Sequence, residues 1–225
     1  MATVDLLHLC YGGLGGHMAV VNALAKGMAP LDIKSGVISV APTESLITSG
    51  ELWPHVALLE TVALTGRGDI RSMAQVFAIA RRTRARAVMV HTHRHATPLA
   101  LGRMSSGQPL NMVTVEHHSL ALRSLSDNAN SASALFWSKA SVFLTEEYLL
   151  GYPLKAARLR GLQARAIIAN GIDHAAFSTL HHDARPTEEG PILGMAARLV
   201  PSKDFETLLK GDVPCGGGFS ALIVG

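Results

Sequence analysis

Cysteine is nearly absent: Cys10 and Cys215 are the only two in 225 residues. Two cannot make a disulfide framework, and the pair fits a reducing compartment. Cys10 ends an apolar run and reads as a small buried hydrophobe. Aromatic residues are also scarce, and the one basic run, Arg81, Arg82, Arg84 and Arg86, has none interleaved to stack on bases. Nucleic acid is therefore not expected as a partner. The run reads as the solvated end of a helix, with contact to anionic lipid heads or acidic sugars as the alternative. No stretch reaches the roughly 20 apolar residues of a bilayer span. The opening MATVDLLHLCYGG has no basic region ahead of a long apolar segment, so it is not read as a secretory signal. A cytoplasmic protein is expected, at most peripheral at the inner membrane face.

Apolar residues make up 48% of the chain, and they fall in short blocks. Thr3 to Cys10 is a strand candidate, followed at once by YGGLGG. Met18, Val21, Ala25 and Met28 then recur on one helical face, which opens a βα unit. Further strands are expected at Ser35 to Val40, Leu52 to Leu59, Ala87 to Val90, Asn111 to Val115, Ser141 to Thr145 and Ala166 to Ala169. Met73, Val76, Phe77 and Ala80 place a helix ahead of the basic run. Short apolar strands without polar alternation are buried on both faces. Separated by helix-length segments, they predict an α/β fold: a parallel sheet with helices on both faces.

Residues 178–190, STLHHDARPTEEG, are polar, aperiodic and contain Pro186. The expected organisation is a first domain over 1–178, a linker over 179–190 and the start of a second domain over 191–225. In the last part, Pro191 to Ala196 and Ala221 to Val224 read as strands around a short helix at Phe205, Leu208 and Leu209. One βαβ unit cannot bury both faces of a sheet, so this second domain reads as incomplete.

In parallel sheets, functional residues collect in loops at the carboxyl ends of strands. His91, His117 and Asn170 fall there. Gly15 and Gly16 mark a turn into a helix, where the backbone can approach a phosphate or sugar hydroxyl. A tight turn with nothing bound is the plainer reading. Asp32 sits too close to that turn to serve as a ribose-binding carboxylate, which disfavours a nicotinamide enzyme. His91, His93 and His95 alternate after one strand, and His117 and His118 end the next. No cysteine or acid has matching spacing, so no metal is expected there, and one or two of these histidines are expected to be buried structural residues. His117 can instead bond a substrate hydroxyl and assist acid–base chemistry. ANGID, with Asn170 and Gly171, marks a sharp turn. Arg198 and Lys203 follow a strand and can together neutralise a diphosphate, although two solvated surface cations would look the same in sequence.

Several segments in order resemble glycosyltransferase family 4 of the retaining GT-B enzymes: YGGLGGHMAVVNALAKGM, VMVHTHRHATPLA, MVTVEHHSL, SVFLTEEY, AIIANGIDHAAF and GMAARLVPSKDFETLL. The resemblance implies a Rossmann-like first domain that takes the acceptor and a second that takes a nucleotide sugar. Sugar transfer would proceed with retention, without a cofactor. It implies that His117 is catalytic, that Gly15, Gly16, Arg198 and Lys203 approach the donor diphosphate, and that Asn170 and Gly171 lie at the cleft or hinge. The partners implied are a nucleotide sugar and a hydroxyl acceptor, either a saccharide or a lipid-linked sugar. The family's glutamate pair in the second domain has no counterpart before Gly225, so the sequence reads as truncated and activity of this chain alone is not expected. A non-hydrolysing nucleotide-sugar epimerase is the alternative, as is an inactive remnant that binds an acceptor or a partner.

Overall fold

A computed structural model of the chain describes residues 3–12, 16–42, 55–64, 69–106, 110–117, 124–150, 164–171, 192–197, 203–210 and 220–224. The chain divides into two compact units, Met1–His174 and Ala175–Gly225.

The first unit is built on seven strands: β1 (Leu6–Tyr11), β2 (Ser35–Ala41), β3 (Leu58–Ala63), β4 (Ala87–Val90), β5 (Asn111–Glu116), β6 (Ala140–Phe143) and β7 (Ala164–Ile167). They pair in the order β3-β2-β1-β4-β5-β6-β7, every neighbour parallel. Helices α1 (Gly16–Met28), α2 (Ile70–Arg82), α3 (Ala96–Ser106), α4 (Leu125–Trp137) and α5 (Glu146–Leu150) connect them.

Both faces of the central strands are buried, as the unbroken apolar runs require. Leu7, Leu9, Ile38, Val40, Val88 and Val90 point to one face and pack with Met73, Val76 and Phe77 of α2 and Leu99 of α3. Cys10 and Val37 point to the other, where Val21 and Met18 of α1 cover them. Every residue of β2 is buried. Gly36 has no side chain for a packing reason: a Cβ there would come within 2.8 Å of Leu7 Cδ2 and 3.3 Å of Val4 Cγ1.

The helix ends follow from local chemistry. Asp69 caps α2, its carboxylate accepting from the backbone of Arg71 and Ser72. Arg81 and Arg82 fill the last turn, where cations meet the negative end of the helix dipole. Arg84 follows in the left-handed region at φ 55. All four arginines of the run are exposed, and Arg82 pairs with Glu60. Ser124 and Asp127 form a reciprocal capping box at the start of α4.

Two strands sit elsewhere than the sequence reading put them. β3 runs over Leu58–Ala63, not Leu52 to Leu59, and β7 over Ala164–Ile167, not Ala166 to Ala169. Both are edge strands of the sheet. The segments for 43–54 and 172–191 lie outside the described residues, and with them most of the expected linker.

In the second unit β8 (Ile192–Ala196) and β9 (Ser220–Val224) pair in parallel, with α6 (Phe205–Lys210) between them in sequence. Asp204, at φ 51, accepts from the Thr207 amide and caps α6.

Candidate functional site

The sheet order reverses between β1 and β4: the chain winds outward through β2 and β3 on one side and through β5 to β7 on the other. At such a reversal the loops following two adjacent strands part in opposite directions and leave a crevice. Histidines collect on either side of it. His91 directly follows β4, and its backbone N–H donates to the Leu9 carbonyl of β1 at 3.0 Å, which ties it to the central strand.

On the face covered by α1, three imidazoles form a continuous run. His8 Nδ1 lies 3.1 Å from His91 Nε2, and His91 Nδ1 lies 3.0 Å from His117 Nε2. Each pair of rings is stacked at 5.3 Å and 27°. His17, in the first turn of α1, meets His117 edge-on at 4.7 Å. His8 and His91 are buried, while His117 and His17 are partly exposed. Burial lowers His8 to about 4. Burial also holds His91 well below the ordinary histidine range, reinforced by His8, His117 and His17. At neutral pH the inner two rings are therefore uncharged.

A second polar cluster lies across the sheet. His93 is buried in the turn after β4, its Nε2 3.4 Å from Asp127 Oδ1 and its Nδ1 3.8 Å from Glu116 Oε1. Ser131 Oγ donates to Glu116 Oε2 at 3.4 Å, and Arg94 binds Asp127. These contacts fasten the turn after β4 to α4. Asp127's carboxyl is held far below the usual carboxylate range, first by Arg94, then by Ser124. His95, stacked on Tyr11 at 6.5 Å, is lowered to about 4 by burial, Arg94 and His93.

An apolar groove of about 510 Å³ runs along α1 on the same face as the imidazole run. Val20 and Leu24 line one side, Met89, Val115 and Val142 of the sheet form the floor, and Asn170 lies at its edge.

The structure thus brings His117 together with His91, His8 and His17, and places Asn170 and Gly171, both exposed, at the groove's edge after β7. Gly16 opens α1. Lys203 is exposed just ahead of α6 in the second unit. Gly15, His118 and Arg198 lie outside the described residues. Among the described residues no group of three or more His, Cys, Asp or Glu side chains is arranged to hold a metal ion, and no helix is long and apolar enough to cross a membrane. The expectation of buried structural histidines is met by His91 and His93. Sequence reading missed His8, Asp127 and Ser131 as parts of these clusters. A histidine inside an otherwise apolar strand, and a Ser124-x-x-Asp127 spacing, were the signals available.

No protein-family model matches the sequence, and no curated protein does. Solved structures do match its fold. The lipopolysaccharide outer core galactosyltransferase WaaB, in its apo form, superposes with a TM-score of 0.63 at 11% identity over 98% of this chain. Anabaena Alr3699/HepE in complex with UDP-glucose gives 0.63 at 15% over 97%. The UDP-N-acetylglucosamine 2-epimerase of Rickettsia bellii gives 0.57 at 9% over 98%. The chain spans about 60% of the length of the first two and 62% of the third. It has the GT-B Rossmann-like fold of these proteins.

Proposed function

We propose that the chain carries the acceptor-side lobe, and the beginning of the donor-side lobe, of a glycosyltransferase of family 4. It would transfer a sugar from a nucleotide-sugar donor to a hydroxyl acceptor with retention of configuration. The observation that carries this reading is the imidazole run ending in His117 at the reversal of strand order, where folds of this type bind ligands. HepE, a structural neighbour, binds UDP-glucose, which supports a nucleotide sugar as the ligand class here. In this reading His117 meets a hydroxyl of the reacting sugar. The backbone at Gly15 and Gly16 comes close to the donor diphosphate. Arg198 and Lys203 offset the charge that develops on the diphosphate as it leaves, an interaction strengthened when water is excluded. Asn170 and Gly171 form the turn toward the second lobe. The acceptor is a saccharide or a lipid-linked sugar, and contact with the inner membrane face is at most peripheral.

The experiment is a panel of nucleotide sugars incubated with saccharide acceptors, scoring acceptor-dependent release of nucleoside diphosphate. Release that requires the acceptor supports transfer. Its absence across the panel, from this chain and from any longer protein containing it, would end the reading.

The neighbour that is an epimerase favours a second reading, a non-hydrolysing nucleotide-sugar epimerase. Conversion of the donor sugar with no acceptor present separates the two. A third outcome, nucleotide binding with neither reaction, points to a remnant that binds without turning over.

A further inference from the structure

His8 has a ring nitrogen with nothing to bond. Its Nδ1 faces His91, but its Nε2 is buried with no hydrogen-bond partner among the described residues. His8 is fully buried in the middle of β1, flanked by β2 and β4. The position of this one atom decides where the protons lie along the whole run.

Each contact between two neutral imidazoles needs one N–H donor and one bare nitrogen. Three linked rings therefore have two consistent arrangements. In the first, every Nδ1 carries the proton: His8 Nδ1–H donates to His91 Nε2, and His91 Nδ1–H donates to His117 Nε2. In the second, every proton sits on Nε2, and donation runs from His117 inward. The second arrangement ends in a buried N–H on His8 Nε2 with no acceptor. The first ends there in a bare lone pair. Unpaired buried N–H groups are the rarer and costlier of the two in protein interiors. The first arrangement wins.

We propose that His8 and His91 are positioning residues that fix His117 as its Nδ1–H tautomer, so that His117 meets substrate as a hydrogen-bond donor and not as a base. The consequence for chemistry rests on the proposed transferase reading. The tautomer itself does not. His91 occupies Nε2 of His117, so the atom turned to substrate is Nδ1, and it carries the proton. A donor at that point can bond a sugar hydroxyl oxygen without removing its proton. That suits orientation of the sugar while the cationic groups deal with the departing diphosphate. His17 sits edge-on to His117 from α1 and restricts the ring's rotation.

The test is direct. The 225-residue chain labelled with ¹⁵N-histidine is measured by multiple-bond ¹H–¹⁵N spectroscopy at a pH well above the ordinary histidine range. His8, His91 and His117 are each expected to show a protonated Nδ1 and a bare Nε2. His8→Leu removes the first donor. His91 and His117 should then shift to a mixture containing the Nε2–H form. His8→Asn keeps an N–H near the position of Nδ1 and should restore the wild-type pattern. A wild-type His117 in the Nε2–H form overturns the proposal, and this holds even if His8→Leu does not fold. So does a folded His8→Leu variant whose His117 signals do not move. If the tautomers are as stated but UDP-glucose and related donors neither bind nor react, the transferase reading fails and the positioning role stands.

Discussion

Arg94 grips Asp127 with two guanidinium nitrogens on a single carboxylate oxygen, Nη2 at 2.8 Å and Nε at 3.1 Å. The same carboxylate closes the capping box of α4 and faces His93. One acid thus joins the turn after β4 to the helix after β5, and it is 14% exposed.

Replacing Asp127 by Ala should therefore cost more than loss of a cap alone, which is typically ~1 kcal/mol. Ser124→Ala should cost about that amount. A double-mutant cycle of Asp127→Ala with Arg94→Leu, read by urea unfolding, should return a coupling energy clearly above zero. Strict additivity would mean the pair holds nothing. The contribution has a defined pH window. Asp127's folded carboxyl is depressed, so its stabilisation is complete above the unfolded value near ~4 and fades as pH drops below it.

The buried histidines set a second window at higher pH. His8 and His95 are lowered to about 4, and His91 lies well below its ordinary range, whereas unfolded imidazoles titrate near ~6.5. Between those values the unfolded chain binds more protons than the folded one. Stability is whole above ~6.5 and is lost as pH falls, by about 1.4 kcal/mol per pH unit for each such ring. Unfolding midpoints should drop from neutral pH to about pH 5, and a flat profile over that interval would contradict the burial of these rings.

Gly36→Val should destabilise the first unit by about 1 to 3 kcal/mol, the usual cost of overpacking a filled core. Its Cβ would meet Leu7, which is fully buried and cannot swing into solvent. Pairing it with Leu7→Ala should recover part of the loss. No recovery would locate the cost elsewhere.

Burial pushes the Cys10 thiol up to about 12, so it carries almost no thiolate at neutral pH. Iodoacetamide should leave Cys10 unmodified in the native chain and alkylate it in urea, as mapped by peptide mass spectrometry. Native labelling at Cys10 would place it at the surface.

For the proposed chemistry, Arg198→Ala and Lys203→Ala should each reduce kcat by the equivalent of ~2 to 4 kcal/mol, the worth of one charged contact to a developing anion. The substitutions are to be made in a protein active in the nucleotide-sugar panel. Unchanged turnover in both would remove the diphosphate role from these two residues.

Much of the sheet was legible because its inner strands are sealed on both faces. β4, with only Ala87, Val88, Met89 and Val90, was found to the residue because nothing polar interrupts it. The edge strands were harder. β3 alternates between half-buried and exposed residues, and the more apolar stretch around Trp53 and Val56 drew the assignment toward the amino terminus. β7 is exposed throughout, and the apolar Ile168 and Ala169 beyond it displaced the expected strand forward. For the site, the loops were identifiable since topology alone puts His91 and His117 at strand ends. The bonds between them were not, because register and face depend on which strands become neighbours. His8 was hidden for the same reason: its meaning comes from β4, 79 positions later in the chain.

β1 is the sheet's centre and the first strand to be synthesised, which gives the order of assembly a cost. Its β2 edge has a partner once Ala41 is made, but its other edge waits for β4 at Ala87. At about 5 to 20 residues per second that interval is several seconds. Throughout it, an unpaired LLHLCY segment stands open to pairing with other chains, so ribosomes stalled between the codons for residues 41 and 87 would release the species most prone to clump.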